Sequence, residues 1–251
     1  MSTGEIKILP VRELPEVKPG DDLASLLIAA IGGASQSLEE RDVLVIAQKI
    51  VSKAEGRIVR LDGVRPSTIA RSWAHAYGKD PRVVEVALAE SKRIVRMDRG
   101  ILISETRHGF ICANAGVDAS NVADGTVTLL PDDPDRSANH LRQALENAFN
   151  VQLAVIVSDT FGRPWREGLV NVALGVSGMA PVVDYRGKRD WMGNTLRVTT
   201  VSIADEMASA AELVMTKDTG VPAAIVRGAG YEAEGSSQLK LIRSAEMDLF
   251  R

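Results

Sequence analysis

The amino-acid sequence predicts an α+β fold with mixed, largely antiparallel sheets and flanking helices. Short apolar runs of strand length mix with segments of helical periodicity, but the two kinds do not alternate as they do in a doubly wound parallel sheet. Several predicted strand pairs are joined by short turns, which antiparallel neighbours allow. The 251 residues contain no internal repeat and no low-complexity linker, so we expect a single domain that spans residues 1–251.

The first predicted elements are a strand, a loop, a helix and a buried strand. Residues 6–11 are a short strand candidate, and the two prolines and the glycine of residues 14–21 predict a loop. Asp22 precedes residues 23–31, whose apolar side chains recur at helical spacing, and we expect it to cap that helix. Residues 42–48 form a run rich in valine and isoleucine, which is typical of a buried strand.

The next region contains both helical and extended patterns. Residues 48–56 fit no simple pattern, whereas residues 57–61 form a short strand-like run. A helix is predicted over residues 66–77, which begin with proline and are followed by glycine, and a second helix over residues 81–94. Residues 100–112 predict a hairpin, because two apolar runs flank a polar turn that closes at a glycine.

A long helix is predicted in the second half of the chain. It starts from a loop at residues 131–136, where Asp135 or Ser137 can serve as the cap. We expect the helix to continue to about Phe149. The apolar residues 153–157 then predict a buried strand that ends at the sequence Ser-Asp-Thr.

The last predicted elements are two strands and a helix after an ambiguous segment. Residues 170–183 are apolar and rich in glycine, so the pattern fits either a closely packed helix or a bulged strand. Residues 196–203 are rich in threonine and valine and predict a strand. Asp205 is expected to cap a helix of residues 206–215, and residues 222–227 predict a final strand.

The composition excludes several classes of protein. The formal net charge is −3, whereas a general nucleic-acid binder normally shows a basic stripe. No apolar stretch has the length of a membrane helix, and the first residues do not form a secretory signal. The single cysteine, Cys112, rules out a disulfide within the chain and ends an apolar run, so we expect a small buried hydrophobe there and a cytoplasmic protein.

Two segments place a carboxylate at or just beyond an apolar run. In the first, Asp118 ends the sequence Asn-Ala-Gly-Val-Asp, where Gly116 permits an unusual backbone angle or a close approach by another group. Asn121 follows with an amide that can both donate and accept hydrogen bonds. The same residues fit a capped turn, so this segment alone leaves both interpretations open.

The second segment contains Asp159 and Thr160, followed by Phe-Gly-Arg-Pro-Trp-Arg. A carboxylate and a hydroxyl in succession at a strand end can ligate a hard cation. Arg163 and Arg166 could meet phosphate or carboxylate oxygens, or stack on the tryptophan between them. If the fold brings Asp118 and Asp159 together, the two carboxylates make a site for a divalent cation of the kind that serves phosphate chemistry.

Two lysines, Lys49 and Lys53, are four residues apart. On a helical turn they would share a face, and in an extended segment they would share a face as well. In either case both amines can reach one anion such as phosphate, although a solvated face is the ordinary alternative.

Taken together, these segments resemble one family, the coenzyme F420-0:L-glutamate ligases. Their order and spacing match from about residue 6 to residue 235, which is nearly the whole chain. Each stretch is short, and it is the ordered set that identifies the family. The matching stretches are residues 14–17, 48–56, 114–121, 158–163 and 222–228.

The resemblance implies a ligase that adds L-glutamate through γ-linkages to the lactyl carboxylate of the deazaflavin coenzyme F420-0. It implies GTP as the co-substrate, Mg²⁺ or Mn²⁺ as the cofactor, and K⁺ as a further ion. It also implies a homodimer with two intertwined subdomains. The nitroreductase-like domain that some relatives carry after the ligase is not expected in residues 1–251.

The resemblance also assigns roles to individual residues. The implied metal ligands are Asp118, Asp159 and Thr160. The residues implied to line the GTP site are Leu14, Pro15, Glu16, Val17, Gln48, Lys49, Lys53, Asn121, Met215, Thr216, Lys217, Asp218, Thr219, Gly220 and Val221. The implied catalytic residues are Asp118, Asp159, Lys53 and Arg163. The loop 215–221 departs from the family pattern, because it is short and carries Lys217 where a metal-side ligand is expected.

Two other functions fit the same residues. A metal-dependent phosphohydrolase would use the same carboxylates and would release phosphate from a nucleotide without glutamate or coenzyme. A catalytically silent module would bind GTP without forming product, and Lys217 keeps this alternative open. The resemblance favours the ligase, which would activate the coenzyme carboxylate as an acyl phosphate with the γ-phosphoryl group of GTP.

Overall fold

The computed structural model describes residues 4–34, 37–235 and 240–248. Within these residues the helices are α1 (Leu23–Gly33), α2 (Gln48–Ala54), α3 (Thr68–Tyr77), α4 (Pro81–Ala89), α5 (Pro134–Phe149) and α6 (Ile203–Met215). The strands are β1 (Lys7–Val11), β2 (Val43–Ala47), β3 (Ile58–Arg60), β4 (Ser91–Asp98), β5 (Ile101–Thr106), β6 (Ile111–Ala113), β7 (Thr126–Thr128), β8 (Ala154–Phe161), β9 (Val170–Ser177), β10 (Val183–Asp184), β11 (Thr200–Val201) and β12 (Ala223–Arg227).

A five-stranded mixed sheet forms the centre of the fold, in the order β1–β12–β2–β8–β9. Strands β2 and β8 pair in parallel, and the other three neighbouring pairs are antiparallel. The apolar side chains of β8 alternate between two cores, one formed with α1 and α5 and the other with α6. The predicted α+β class with largely antiparallel pairing is therefore confirmed.

Three smaller sheets complete the described fold. Strands β4, β5 and β6 form an antiparallel meander, and β3 pairs with β7. A separate hydrophobic cluster, which includes Leu61, Leu102 and Val127, packs between these strands and α4. Strands β10 and β11 pair at the base of a long hairpin. Among the described residues, no helix is long and apolar enough to cross a lipid bilayer.

Several local predictions are confirmed. The first strand, the helix after Asp22, the buried strand at residues 42–48 and the hairpin at residues 100–112 all form. Asp22 accepts a hydrogen bond from the Ser25 amide at 3.2 Å, as its predicted capping role requires. The ambiguous residues 170–183 contain a strand, β9, that carries a bulge opposite β8. Cys112 is buried, as predicted.

The predicted helix of residues 81–94 is wrong in its second half. Helix α4 ends at Ala89, and the residues from Ser91 onwards form β4. This segment pairs with β5, with irregularities in register after Ser91 and Ile94. The spacing of its apolar residues is that of a half-exposed strand with bulges. Sequence periodicity cannot distinguish this pattern from the apolar face of a helix.

Both residues predicted as alternative caps of the long helix α5 are wrong. Asp133, rather than Asp135 or Ser137, caps α5 by accepting the Arg136 amide at 3.0 Å. Asp135 instead accepts the Val176 amide at 2.8 Å, so it holds the helix to β9. The proline-led helix predicted at residues 66–77 also starts later than expected, at Thr68 with a serine cap.

The strand predicted at residues 196–203 is largely wrong as well. Only Thr200 and Val201 form a strand, and Ile203 already begins α6. Asp205 therefore lies in the first turn of α6 rather than at its cap. Its carboxylate accepts the Ala173 amide at 2.8 Å, which satisfies a donor on β9 that no neighbouring strand covers.

The predicted single domain of residues 1–251 stays a prediction. Residues 1–3, 35–36, 236–239 and 249–251 lie outside the described residues. Within the described part, α5 lies so close to β9 that a Cβ atom at Gly175 would fall 2.2 Å from the backbone carbonyl of Pro134. Backbone atoms cannot yield as a flexible side chain can, so glycine is required at this contact.

We expect Gly175→Ala to lower the free energy of unfolding by roughly 1–3 kcal/mol, because α5 must move away from β9. Urea unfolding followed by circular dichroism measures the change. Gly32→Ala is the matched control, since a Cβ there meets nothing within 4 Å. In the helix α1 it should be neutral or stabilising by up to about 1 kcal/mol. Equal stability of Gly175→Ala and the wild type would contradict the packing argument.

Candidate active site

The candidate site lies at the carboxyl end of β8. The sequence predicted a strand that ends at Ser158-Asp159-Thr160, and β8 continues one residue further, to Phe161, because β9 pairs with it beyond the bulge. Asp159 lies opposite Val172, and Thr160 lies opposite Asn171. Successive side chains of a strand point to opposite faces, so Asp159 faces the side of α2 and α5, and Thr160 faces the side of α6.

Asp118 lies at the end of a strained loop that follows β6. Both Asn114 and Ala115 have left-handed backbone angles, and Gly116 has φ +75. A Cβ at Gly116 would fall 2.6 Å from the side chain of Leu130. Both predicted reasons for a glycine, the unusual angle and the close approach, are therefore confirmed. Strain of this kind persists where the surrounding structure holds it, and it is common at functional sites.

The backbone of Asp118 is fixed by an isolated bridge to Thr128, with N–O distances of 3.1 and 2.9 Å. Its carboxylate accepts the Ser120 amide at 2.7 Å and the Ser120 hydroxyl at 2.9 Å. The capped turn and the functional carboxylate therefore coexist at this position. The turn sets the direction in which the carboxylate points.

Lys49 joins this loop to α2. Its ammonium donates to Asp118 Oδ2 at 2.6 Å, to Ser120 Oγ at 2.6 Å and to the Ser120 carbonyl at 3.0 Å. These three bonds use all the donors of the ammonium group. Lys49 therefore neutralises Asp118 and holds the strained loop against the helix.

The two carboxylates influence one another electrostatically. Burial, together with the negative charge of Asp118, raises the pKa of Asp159 to about 6, although the Thr160 amide and two lysine charges act in the other direction. Burial alone would raise the pKa of Asp118, but its bonds to Lys49 and Ser120 lower that pKa below its ordinary value. The fold thus brings Asp118 and Asp159 within electrostatic range of each other, and Lys49 bonds the first of them directly.

Cys112 lies within electrostatic range of Asp159. Burial and the charge of Asp159 raise the pKa of its thiol to about 12. The side chain is therefore a neutral thiol at physiological pH, in agreement with the predicted hydrophobic role.

A second cluster lies on the opposite face of β8. Lys217 donates to Thr160 Oγ1 at 2.6 Å and to the Glu212 carboxylate at 3.1 Å. Thr160 Oγ1 donates to Asn171 Oδ1 at 2.7 Å, and Asn171 Nδ2 donates to Glu212 at 2.9 Å. The four side chains form a closed ring of hydrogen bonds, which we call the Lys217 ring.

The lysine pair predicted from spacing lies on one face of α2, so the helical alternative for residues 48–56 is confirmed. The Lys53 ammonium is 3.8 Å from Glu16 and its side chain is only 13% exposed. This contact brings the loop of residues 14–17 next to α2. Gln48 is buried and accepts the Ser52 hydroxyl at 2.8 Å, so its side chain stabilises the helix.

The other residues implied for the GTP site divide into core and surface positions. Val17, Met215 and Val221 are buried and anchor the ends of their loops. The exposed residues are Pro15, Glu16, Asn121, Thr216, Lys217, Asp218, Thr219 and Gly220, and Leu14 is half-buried. Their contact with a nucleotide stays a prediction.

Arg163 lies at the exposed tip of the β8–β9 hairpin, where its guanidinium donates to the Glu167 carbonyl at 3.3 Å. Arg166 and Trp165 occupy the same exposed tip. The implied catalytic role of Arg163 stays a prediction.

The sequence reasoning missed three side chains of the site. Ser120 lies within the matching stretch of residues 114–121 but was given no role, although a hydroxyl two residues after an aspartate is a usual turn partner. Asn171 and Glu212 had no such signal. Their place depends on the register of β9 and on where α6 ends, which a single sequence does not specify.

The donor set at Asp118 and Asp159 fits a hard divalent cation. Two carboxylates and nearby hydroxyls are oxygen ligands of the type that Mg²⁺ and Mn²⁺ accept, and the raised pKa of Asp159 marks a deficit of positive charge. No cluster of three or more His, Cys, Asp and Glu side chains occurs in the described part of the chain.

Comparison with known proteins gives a consistent result. The sequence model of the F420-0:gamma-glutamyl ligase family matches residues 12–228. A coenzyme F420:L-glutamate ligase of Methanothermobacter thermautotrophicus is 48% identical, over 98% of this chain and 99% of its own length. One of Methanopyrus kandleri is 49% identical over 98% of both chains, and one of Methanocaldococcus jannaschii is 43% identical over 95% and 94%.

We expect Asp159→Asn to stabilise the metal-free protein. The pKa of Asp159 in the fold, about 6, lies above the ordinary value of 3.8, so folding disfavours the ionised form. The variant should gain roughly 3 kcal/mol well above pH 6, and the gain should disappear as the pH falls to about 4. Urea unfolding in EDTA across this range measures it.

Asp124→Asn is the control, because it removes an exposed carboxylate from the Asp118 segment. It should change stability by less than about 0.5 kcal/mol at every pH. A loss of stability in Asp159→Asn at about pH 8 would show that the Asp159 charge is balanced in the free protein.

Proposed function

The chain belongs to the F420-0:gamma-glutamyl ligase family, and we propose that it joins L-glutamate to coenzyme F420-0 at the expense of GTP. The new linkages are γ-glutamyl linkages that start from the lactyl carboxylate of the deazaflavin coenzyme. The observation that supports this most is the convergence of Lys49, Asp118, Asp159 and Lys217 from four separate segments at one end of β8.

The chemistry requires that a carboxylate be activated, because a free carboxylate is a poor electrophile at neutral pH. A carboxylate oxygen of the coenzyme attacks the γ-phosphorus of GTP, and the bond to GDP breaks. The amine of glutamate then attacks the acyl carbon, the bond to phosphate breaks, and the amine loses a proton. The products are an amide, GDP and phosphate.

In this proposal Asp118 and Asp159 hold Mg²⁺ or Mn²⁺. The ion, when bound, offsets negative charge on the phosphate oxygens as the phosphoryl group moves. The strand β8 fixes the direction in which the Asp159 side chain points, and the hydrogen bond from the Ser120 amide fixes the direction of the Asp118 carboxylate. Both ligands are therefore placed before the ion arrives, which lowers the cost of ordering the site.

In this proposal Lys53 contacts the phosphates, and Lys49 acts on them only through its charge and through the loop that it holds. Lys53 is nearly buried, and within the described part of the chain its one ion pair is the long contact to Glu16, so its ammonium is available to an anion at the loop 14–17. Lys49 keeps the Asp118 loop in place and adds positive charge next to it. A nucleotide tail between α2 and the end of β8 would thus be held from two sides, which aligns the phosphoryl group with its acceptor.

The protein is also proposed to act as a homodimer. Residues 183–201 form an ordered hairpin, closed by backbone bonds between Tyr185 and Thr199 and between Gly187 and Leu196. Trp191 is 98% exposed at its tip and Val198 is 85% exposed on its side. Rigid exposed apolar groups of this size are typical of an interface, and a second copy of the chain is the proposed partner.

We expect the double substitution of Trp191→Ser and Val198→Ser to convert the dimer to a monomer, because it removes the apolar area that association would bury. Sedimentation equilibrium gives the mass in solution. Ile69→Ser is the control, because Ile69 is a single exposed residue on α3 and is 65% exposed. A monomeric wild type, or an unchanged dimer in the double variant, would contradict the proposal.

The catalytic proposal predicts that Asp159→Ala loses turnover by a factor on the order of a hundred or more, since a metal ligand is removed. The assay follows the coenzyme by mass spectrometry with glutamate, Mg²⁺, and GTP or ATP in parallel. The wild type should give a ladder in steps of one glutamate with GTP.

Asp124→Ala, which changes an exposed carboxylate of the Asp118 segment, should retain activity near that of the wild type. Turnover by Asp159→Ala close to that of the wild type would remove Asp159 from the mechanism. Release of phosphate by the wild type with no product ladder would favour the phosphohydrolase.

A further inference from the structure

Lys217 is held in a way that an ordinary surface lysine is not. Its ammonium bonds both Thr160 and Glu212, although its side chain is 63% exposed. Two of its three donors are thus fixed by the Lys217 ring, and the third has no partner among the described residues. The loop that carries it is braced as well, because Thr219 bonds the Met215 carbonyl at 2.9 Å.

Thr160, the third ligand implied by the resemblance, is already engaged on both sides of its hydroxyl. It donates to Asn171 and accepts from Lys217. A divalent ion bound to Thr160 Oγ1 at about 2.1 Å would lie within roughly 5 Å of an ammonium group. The carboxylate of Asp118 offsets the charge of Lys49, but the hydroxyl of Thr160 is neutral, so two cations this close to it repel each other strongly. The hydroxyl is therefore arranged to receive an ammonium, and a metal there would have to displace it.

The direction of the two side chains leads to the same conclusion. Thr160 and Asp159 face opposite sides of β8, so one ion cannot readily take both side-chain oxygens. The Asp159 side is negative and faces Asp118, whereas the Thr160 side is neutral apart from the Lys217–Glu212 pair. A divalent ion fits the first side only.

We infer that Lys217 supplies a fixed positive charge at Thr160, where the resemblance expects a metal ion, and that its free donor contacts the terminal phosphate of the nucleotide. The phosphate contact rests on the proposed function. Glu212 and Asn171 are positioning residues, because they hold Lys217 and Thr160 without reaching the phosphate. Lysine suits this task as a compact charge that binds phosphate without demanding a fixed geometry.

The metal half of the inference is tested by titrating the full chain with Mn²⁺ and no nucleotide. Thr160→Val keeps the shape of the side chain and removes the hydroxyl. It should bind Mn²⁺ within about twofold of the wild type, whereas Asp118→Asn should bind it at least about tenfold more weakly. If Thr160→Val loses as much affinity as Asp118→Asn, Thr160 is a metal ligand and the inference is overturned.

The phosphate half is tested by the affinity for a non-hydrolysable GTP analogue in the presence of Mg²⁺. Lys217→Gln should bind it about tenfold more weakly, and Lys217→Arg should restore most of the affinity because it restores the charge. Lys7→Gln is the matched control, since Lys7 forms a comparable exposed ion pair with Glu5 at 3.3 Å. It should bind the analogue as the wild type does.

Equal affinity of Lys217→Gln and the wild type would make Lys217 an ordinary surface ion pair and overturn this half. A wild type that binds Mn²⁺ but not the analogue would refute the proposed function and the phosphate contact together. The Mn²⁺ comparison uses no nucleotide, so in that case it would still decide what Thr160 binds.

Discussion

The burial of Asp159 within electrostatic range of a second carboxylate, Asp118, is the constraint on which the rest of the site depends. Lys49 balances Asp118 with a contact of 2.6 Å, and its two bonds to Ser120 hold the loop that carries the aspartate. The pKa of Asp159 is about 6, so its negative charge is left for a bound cation to neutralise. Groups with such a deficit lower the stability of the free protein and favour the state in which a cation is bound.

The sequence predicted the elements whose signal is local. Asp22 could be recognised as a cap because the bond that it makes lies within one turn of helix. The predictions failed where a residue or strand that is distant in the sequence determines the local structure. Ser91–Asp98 became a strand because β5 lies beside it, and Asp205 was drawn to an amide of β9 instead of capping its own helix. Hydrophobic period carries no information about which strand lies alongside, so these outcomes required the tertiary structure.

The same division applies to the site. The types of residue and their order in the chain were enough to select Asp118 and Asp159, and the fold brings them together. The sequence did not reveal that the Lys49 ammonium is fully occupied by the Asp118 loop. Nor could it reveal Asn171, whose position opposite Thr160 depends on a bulge in the β8–β9 register. A shift of one residue there would turn that amide to the other face.

The extended β8 explains how two kinds of positive charge can serve one substrate. Adjacent residues of a strand point to opposite faces, so in the proposed site the Asp159 face of β8 would hold a divalent ion, whereas the Thr160 face holds the Lys217 ammonium. The backbone between them keeps the two cations from sharing a ligand. A phosphate tail laid across the end of the strand would bridge both faces, and its own negative charge would remove the repulsion between the cations. In the proposed function, the charges of the metal ion, Lys217 and the nucleotide would balance one another, so that nucleotide binding and the assembly of the site would be interdependent.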